Sequence, residues 1–353
     1  MLEDFSSRGP NLPGQFPPSR MRPSAISVVR SLLSLAIAIL GLGCWSCPTK
    51  PLSGPPPPPH VIQSPSTHAN RSGTLKILTW NIWMMPDYIF QSPRNGQRAG
   101  IIASDLLMLD YDIICFEKAF STTGRHALAR ALAKRYPYQY GPANSGWSLK
   151  MNSGVWIVSR FPLTDYHEIQ FRASAGVESF ARKGALMLTG TFQGHRFHLV
   201  AAHLQGETGS EYTEAHQRIR EQQLMQIRDE LLVRYTQPGL PIFLCGDFNT
   251  PRRDPKEPAR DSAAYGAMLR ILGNPQNGEG DRLTLEDACD RNDLAEENSG
   301  RSAELDYILI KPGSSQIDAQ HSRLVFLHPG WDGRTLRQNL SYRHAVAVEA
   351  TFH

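Results

Sequence analysis

An α/β fold, with mixed sheets and helices outside them, is predicted by two features of the chain. Short apolar runs of strand character outnumber the segments with helical periodicity. Consecutive runs such as residues 185–203 read as antiparallel hairpins, whereas a strict parallel βαβ alternation would separate each pair of strands by a helix.

The elements follow in order. Residues 75–80, 113–116, 155–159, 185–192, 198–203, 242–245, 305–310 and 345–352 are short apolar or alternating runs and are read as strands. Residues 98–109, 125–136, 214–234 and 263–272 carry the apolar periodicity of helices. The tract 241–249, Pro-Ile-Phe-Leu-Cys-Gly-Asp-Phe-Asn, is the most informative. Alternation along an extended chain sends Asp247 and Asn249 to one side and Phe248 back to the core. A carboxylate and a carboxamide held together at a sheet rim suit a hard cation and a phosphoryl oxygen. Taken alone, the same tract is also an ordinary strand ending in a turn.

With 353 residues the chain can form one large domain or two ordinary ones, and its composition is that of a globular protein. The formal charge of +4 is unevenly spread. Before Leu75 stand Arg8, Arg20, Arg22, Arg30, Lys50 and Arg71 against Glu3 and Asp4, so the rest of the chain is formally neutral. A neutral body lacks the basic footprint of a duplex-binding protein, and no nucleic-acid partner is expected. Cys115 and Cys245 sit inside apolar runs, where cysteine behaves as a small hydrophobe, and Cys289 has no evident partner.

Residues 1–47 form a leader. Its apolar stretch, 31–45, is short for a membrane span, has the length of a signal-peptide core and follows Arg22 and Arg30. Cys44 after Leu-Gly is similar to a lipoprotein cleavage box, so secretion or membrane anchoring is expected, with Met21 as an alternative start. Residues 48–74, with a five-proline run, read as an extended linker, and residues 75–353 as the folded body.

Within that body, six predicted strands carry polar residues at or near their ends. Asn81 follows 75–80; Glu117 follows 113–116; His203 and Gln205 follow 198–202; Asp247 and Asn249 close the tract above; Asp306 lies within 304–308; His344 opens the last strand. Each alone has an ordinary explanation as a cap, surface acid or core histidine. Their coincidence argues otherwise, because buried acids need a partner or a metal. Phosphate-binding glycine loops, Gly-x-Ser-x-Gly elbows and His-Glu-x-x-His pairs are lacking, and the Cys-x-x-Cys at 44–47 belongs to the leader. Oxygen donors without thiolates favour Mg²⁺ or a similar hard cation.

Thr79-Trp80-Asn81, Phe116-Glu117, Ser153-Gly154-Val155, Ala202-His203-Leu204-Gln205, Gly246-Asp247-Phe248-Asn249 and Leu305-Asp306-Tyr307-Ile308 occur in an order that resembles the endonuclease/exonuclease/phosphatase superfamily over about residues 75–352. Residues 153–162, Arg182-Lys183-Gly184 and His203-Leu204-Gln205-Gly206-Glu207 look most like the neutral and bacterial sphingomyelinases of that superfamily. The resemblance implies a four-layer α/β sandwich, two mostly antiparallel mixed sheets packed face to face with helices outside. It also implies a Mg²⁺ cofactor (Mn²⁺ or Co²⁺ as substitutes), sphingomyelin or a related phospholipid as substrate, and a monomer acting at a membrane surface. Glu117 and Asn81 match the metal residues. Asp247 and Asn249 match residues that orient water and phosphoryl oxygens, His203 the histidine at the phosphate, Asp306 the acid that orients the last histidine, and His344 that histidine, the general base. Lys183, Gln205 and Arg343 are assigned to substrate binding.

Two departures stand out. The family ends in Ser-Asp-His, whereas this chain reads Ser341-Tyr342-Arg343-His344, and Lys118 follows Glu117. A fixed cation near a divalent ion weakens metal binding. Arg343 therefore contacts substrate phosphate, points away from the metal, or marks a degenerate lipid-binding site. The other site residues favour the first two. Residues 326–340 offer Trp331 but no long aromatic run of the kind that the bacterial toxins use to enter membranes, so strong lytic activity is not expected.

Overall fold

A computed structural model describes residues 73–86, 95–207, 212–254, 257, 259–276, 304–324, 340–341 and 343–353. The leader, most of the linker, Cys44, Cys289 and Trp331 lie outside the described residues.

Eleven strands form two sheets among the described residues. The first has the order β10-β11-β1-β2-β4-β3, comprising β1 (Thr74–Met84), β2 (Ile113–Ala119), β3 (Tyr138–Tyr140), β4 (Trp156–Ser159), β10 (Ile317–Leu324) and β11 (Ala345–Phe352). The second has the order β5-β6-β7-β8-β9, comprising β5 (Thr164–Gln170), β6 (Gly184–Phe192), β7 (His195–His203), β8 (Ile242–Asp247) and β9 (Asp306–Lys311). Each sheet holds one parallel pair, β1–β2 and β7–β8; the other pairings are antiparallel. The expected mixed, mostly antiparallel sandwich is therefore the fold found.

Two-residue periodicity divides the strand side chains between layers. Leu75, Ile77, Ile113, Cys115, Leu199, Ala201, Phe243, Cys245, Ile308 and Val348 fill the seam between the sheets. The intervening residues face outward, Leu78, Trp80, Ile114 and Phe116 beneath α1 (Asn95–Met108) and α2 (Thr122–Leu132). Val200, Leu244, Tyr307 and Leu309 lie beneath α3 (Glu214–Ile227) and α4 (Ala263–Ile271). Each fully buried Leu, Ile or Phe contributes roughly 1.5–3 kcal/mol.

Side-chain oxygens start three helices by accepting an otherwise unpaired N–H: Ser121 from Gly124 (2.9 Å), Thr213 from His216 (3.2 Å) and Ser262 from Tyr265 (3.0 Å). The helix expected over 125–136 therefore starts earlier and ends at Leu132. That expected over 214–234 is interrupted by a π turn, Arg228–Leu232. Strands β3, β5 and β10 were not legible as apolar runs. They lie at or next to sheet edges, where one row of side chains faces water, and β5 is mostly exposed.

Candidate active site

Two rows of side chains, one from each sheet, end the seam at one rim. In the first sheet Asn81 pairs directly with Glu117 across the parallel strands. The antiparallel β1–β11 register matches Thr79 with Val346, and His344 immediately precedes the first residue of β11. In the second sheet His203 pairs with Asp247, and Asp247 with Asp306. Four of these polar residues sit two positions from an apolar side chain of the seam (Cys115 before Glu117, Ala201 before His203, Cys245 before Asp247, Ile308 after Asp306). The alternation that builds the core thus also aims the site.

Asn81 Nδ2 donates to Asp247 Oδ2 at 2.8 Å and joins the two rows. Gly246 lets β8 pair closely with β7 just before Asp247: its φ is +135° and a Cβ there would meet the Ala202 carbonyl oxygen at 2.0 Å. Asn249 shares the site, but not by simple alternation. Strand β8 ends at Asp247, the Asn249 N–H donates back to Asp247 Oδ1 (3.0 Å), and Asn249 turns left-handed at φ 49°. Its Nδ2 donates to the Leu204 carbonyl at 2.9 Å. Phe248 turns away as expected and packs near Tyr307.

Glu117 is fully buried; Oε1 accepts from Thr79 Oγ1 (2.7 Å), while Oε2 has no hydrogen-bond partner. Asp306 Oδ1 and His203 Nδ1 are likewise buried without one. Burial, followed by the charge of Asp306, pushes the Glu117 carboxyl well above the usual carboxylate range. Burial and Asp247 do the same to Asp306, against the opposing pull of Arg343 and Lys118. Unpaired carboxylate oxygens at this depth suit an oxygen-loving cation. Among the described residues no three His, Cys, Asp or Glu side chains form a complete metal-ligand set. The donors present, Glu117 and the Asn81 carboxamide, fit a Mg²⁺-type ion that keeps most of its ligands from water and substrate oxygens.

Lys183 and Gln205 occupy structural positions rather than open ones. Lys183 Nζ reaches Glu178 Oε2 (2.7 Å), the Leu204 carbonyl (2.7 Å) and His203 Nε2 (2.9 Å). Burial first, and then Lys183, Lys118 and Arg343, hold the His203 imidazole well below its usual range. The neutral imidazole is favoured, and where Lys183 donates to Nε2 the ring proton would sit on Nδ1. The Gln205 amide is spent on the backbone, accepting from Ala175 N–H (3.0 Å) and donating to the Ala175 and Gly206 carbonyls. Gln205 thus braces the 173–180 loop in this structure.

Sequence reasoning missed Glu178. Burial alone would raise its carboxyl, but Lys183, Lys118 and the Gly206 N–H hold it below the usual range. It lies in a polar loop, on the short 3₁₀ turn Gly176–Phe180, with no apolar pattern to mark it. Thr79 was recoverable, because 77, 79 and 81 share one face of β1.

Arg343 lies inside the site. Its guanidinium stands 3.8 Å from Asp247 and 3.7 Å from Asp306 and reaches Asn249 Oδ1 at 3.5 Å. Its carbonyl accepts from Trp80 Nε1 (2.9 Å), while Ser341 Oγ donates to the Asn81 carbonyl, which ties this segment to β1. The side chain does not point away from the acids.

Comparison with known proteins bears on this geometry. A family model described as Endonuclease/Exonuclease/phosphatase family matches residues 78–325. Sphingomyelinase C of Listeria ivanovii is 22% identical over 288 residues, covering 77% of this chain and 83% of that protein. Phospholipase C of Staphylococcus aureus is 24% identical, covering 73% and 80%. The crystal structure of sphingomyelinase C from Streptomyces griseocarneus superposes with a TM-score of 0.66 at 22% identity, covering 78% of this chain and 99% of that one. A Staphylococcus aureus beta toxin variant with bound magnesium ions also gives 0.66, at 20% identity over 78% and 98%.

Proposed function

The chain belongs to the Endonuclease/Exonuclease/phosphatase family as a phosphodiesterase-type hydrolase, and on that premise we propose that it cleaves sphingomyelin, with Mg²⁺, to ceramide and phosphocholine. The observation that carries this reading is the meeting of the two polar rows at the Asn81–Asp247 bond. Glu117 and Asn81 would hold the ion, which when bound neutralises charge on the phosphodiester. His344 takes the proton of the attacking water, and Asp306 orients it. Asp247 and Asn249 fix the water and the phosphoryl oxygens in line with the departing alkoxide. His203, with Nε2 held by Lys183 and 3.8 Å from Asp247, would contact the phosphate. Arg343, 3.5–3.8 Å from three site side chains, supplies a fixed positive charge for the phosphate. The leader supports secretion or anchoring at the membrane where such a substrate lies; no helix among the described residues is long and apolar enough to cross a membrane.

Two other readings stand beside it: a nuclease or phosphoinositide phosphatase of the same superfamily, and, because of Arg343, a lipid-binding homologue with a degenerate site. Assay of the purified chain on sphingomyelin, DNA and inositol phosphates with Mg²⁺, Mn²⁺ and Co²⁺ separates them. Choline phosphate release that His344→Ala abolishes supports the first reading. Absence of release with all three ions sinks it, and turnover gained only by Arg343→Asp selects the degenerate site.

A further inference from the structure

Four large apolar side chains project from two joined loops beside the site. Trp147 is 96% exposed and Leu149 98%, and on the neighbouring turn Gly176–Phe180 Val177 is 70% exposed and Phe180 66%. The loops are held to each other: Met151 N–H donates to the Phe180 carbonyl (3.0 Å), Arg182 N–H to the Met151 carbonyl (2.9 Å), and the Arg182 guanidinium to the Gly146 carbonyl. Single exposed apolar residues are common on proteins, but four on one braced pair of loops are not. The same five-residue turn directs Glu178 inward, where it meets Lys183 and the Gly206 N–H, so the patch borders the site. Charge matches as well. Residues 145–151 and 172–182 carry Lys150, Arg172 and Arg182 against Glu178 alone. Glu178 is spent on Lys183 and Arg172 pairs with Glu230, which leaves Lys150 and Arg182 as the excess.

We propose that this patch docks the enzyme on a phospholipid bilayer: Trp147, Leu149, Val177 and Phe180 enter the head-group region while Lys150 and Arg182 face lipid phosphates. Tryptophan and phenylalanine settle at that depth, and binding strength scales with the apolar area buried there plus attraction to lipid charge. Docking would bring the rim of the site to the level of the scissile phosphate. The proposal rests on the reading that the substrate is a membrane lipid.

The full chain is tested with vesicles of phosphatidylcholine and sphingomyelin, with and without phosphatidylserine. Three readouts are taken: quenching of tryptophan emission by brominated acyl chains, turnover on vesicles, and turnover on a soluble phosphodiester. Expected is a quenched component that Trp147→Phe removes. In Trp147→Ala/Phe180→Ala, vesicle turnover falls at least about tenfold with soluble turnover and thermal midpoint unchanged. Equal vesicle turnover in variant and wild type overturns the proposal, as does a dimer in sedimentation that this variant dissociates. Trp147 quenching without any hydrolysis would support the docking face while refuting the proposed activity.

Discussion

Asn81 and Asp247, 166 residues apart in the chain and on facing sheets, are joined by a 2.8 Å hydrogen bond that connects the two halves of the site. The bond leaves Asp247 Oδ1 to accept the Asn249 N–H, so one carboxylate sets two neighbours. Asn81→Ala is expected to lower kcat by about 10²-fold or more and to cost about 1–3 kcal/mol of stability through the hydrogen bond lost at Asp247 Oδ2. Steady-state kinetics and urea unfolding on the same variant check both; wild-type kcat would remove Asn81 from the machinery.

Protonation of Glu117 gives a second expectation. Its folded carboxyl titrates well above the unfolded value, chiefly because it is buried. Without metal, the folded state therefore holds a proton that the unfolded chain releases above about pH 4, and stability falls as pH rises from there through the folded value. Metal binding must expel that proton, so affinity should rise with pH. Titration calorimetry with Mg²⁺ in buffers of different ionisation enthalpy should show proton release that Glu117→Gln reduces. Equal release by both proteins would place the ion elsewhere.

The candidate site was legible as a cluster because it follows the same two-residue alternation as the core. Cys115-Phe116-Glu117 and Cys245-Gly246-Asp247 each send an apolar side chain and then an acid into one seam. What alternation cannot show is how far a side chain is used up. Lys183 and Gln205 stand beside the right residues in sequence, yet their polar atoms bond to Glu178 and to loop backbone, partners set by tertiary contact alone. Edge strands β5 and β10 were hidden for a related reason, since a strand with one wet row has no unbroken apolar run.

Lys183 and Glu178 form a buried pair whose cation also touches His203. Lys183→Met leaves the largely buried Glu178 with the Gly206 N–H but without its closest countercharge, and a loss of about 3–5 kcal/mol is expected. Adding Glu178→Gln should recover most of it, as urea midpoints would show. Activity should stay low in the double variant, because His203 has lost its Lys183 contact at Nε2. Full activity there would mean that Lys183 only supports the fold.

Arg343 decides which charge the site presents. Its guanidinium lies 3.7–3.8 Å from Asp306 and Asp247, so it lowers the negative charge available to a divalent ion while adding a donor for phosphate. If it binds substrate, Arg343→Ala raises KM on sphingomyelin by about 10–100-fold, from loss of about 1.5–3 kcal/mol of charged hydrogen bonding, while the metal concentration for half-maximal rate falls. Arg343→Lys should recover little, since a point charge cannot reproduce the planar fork. Arg343→Asp should tighten the metal further and lose the phosphate contact. Measuring KM for lipid and the half-saturating Mg²⁺ concentration across these three variants tests the pairing of effects. An unchanged KM together with an unchanged metal requirement would leave Arg343 without a part in either.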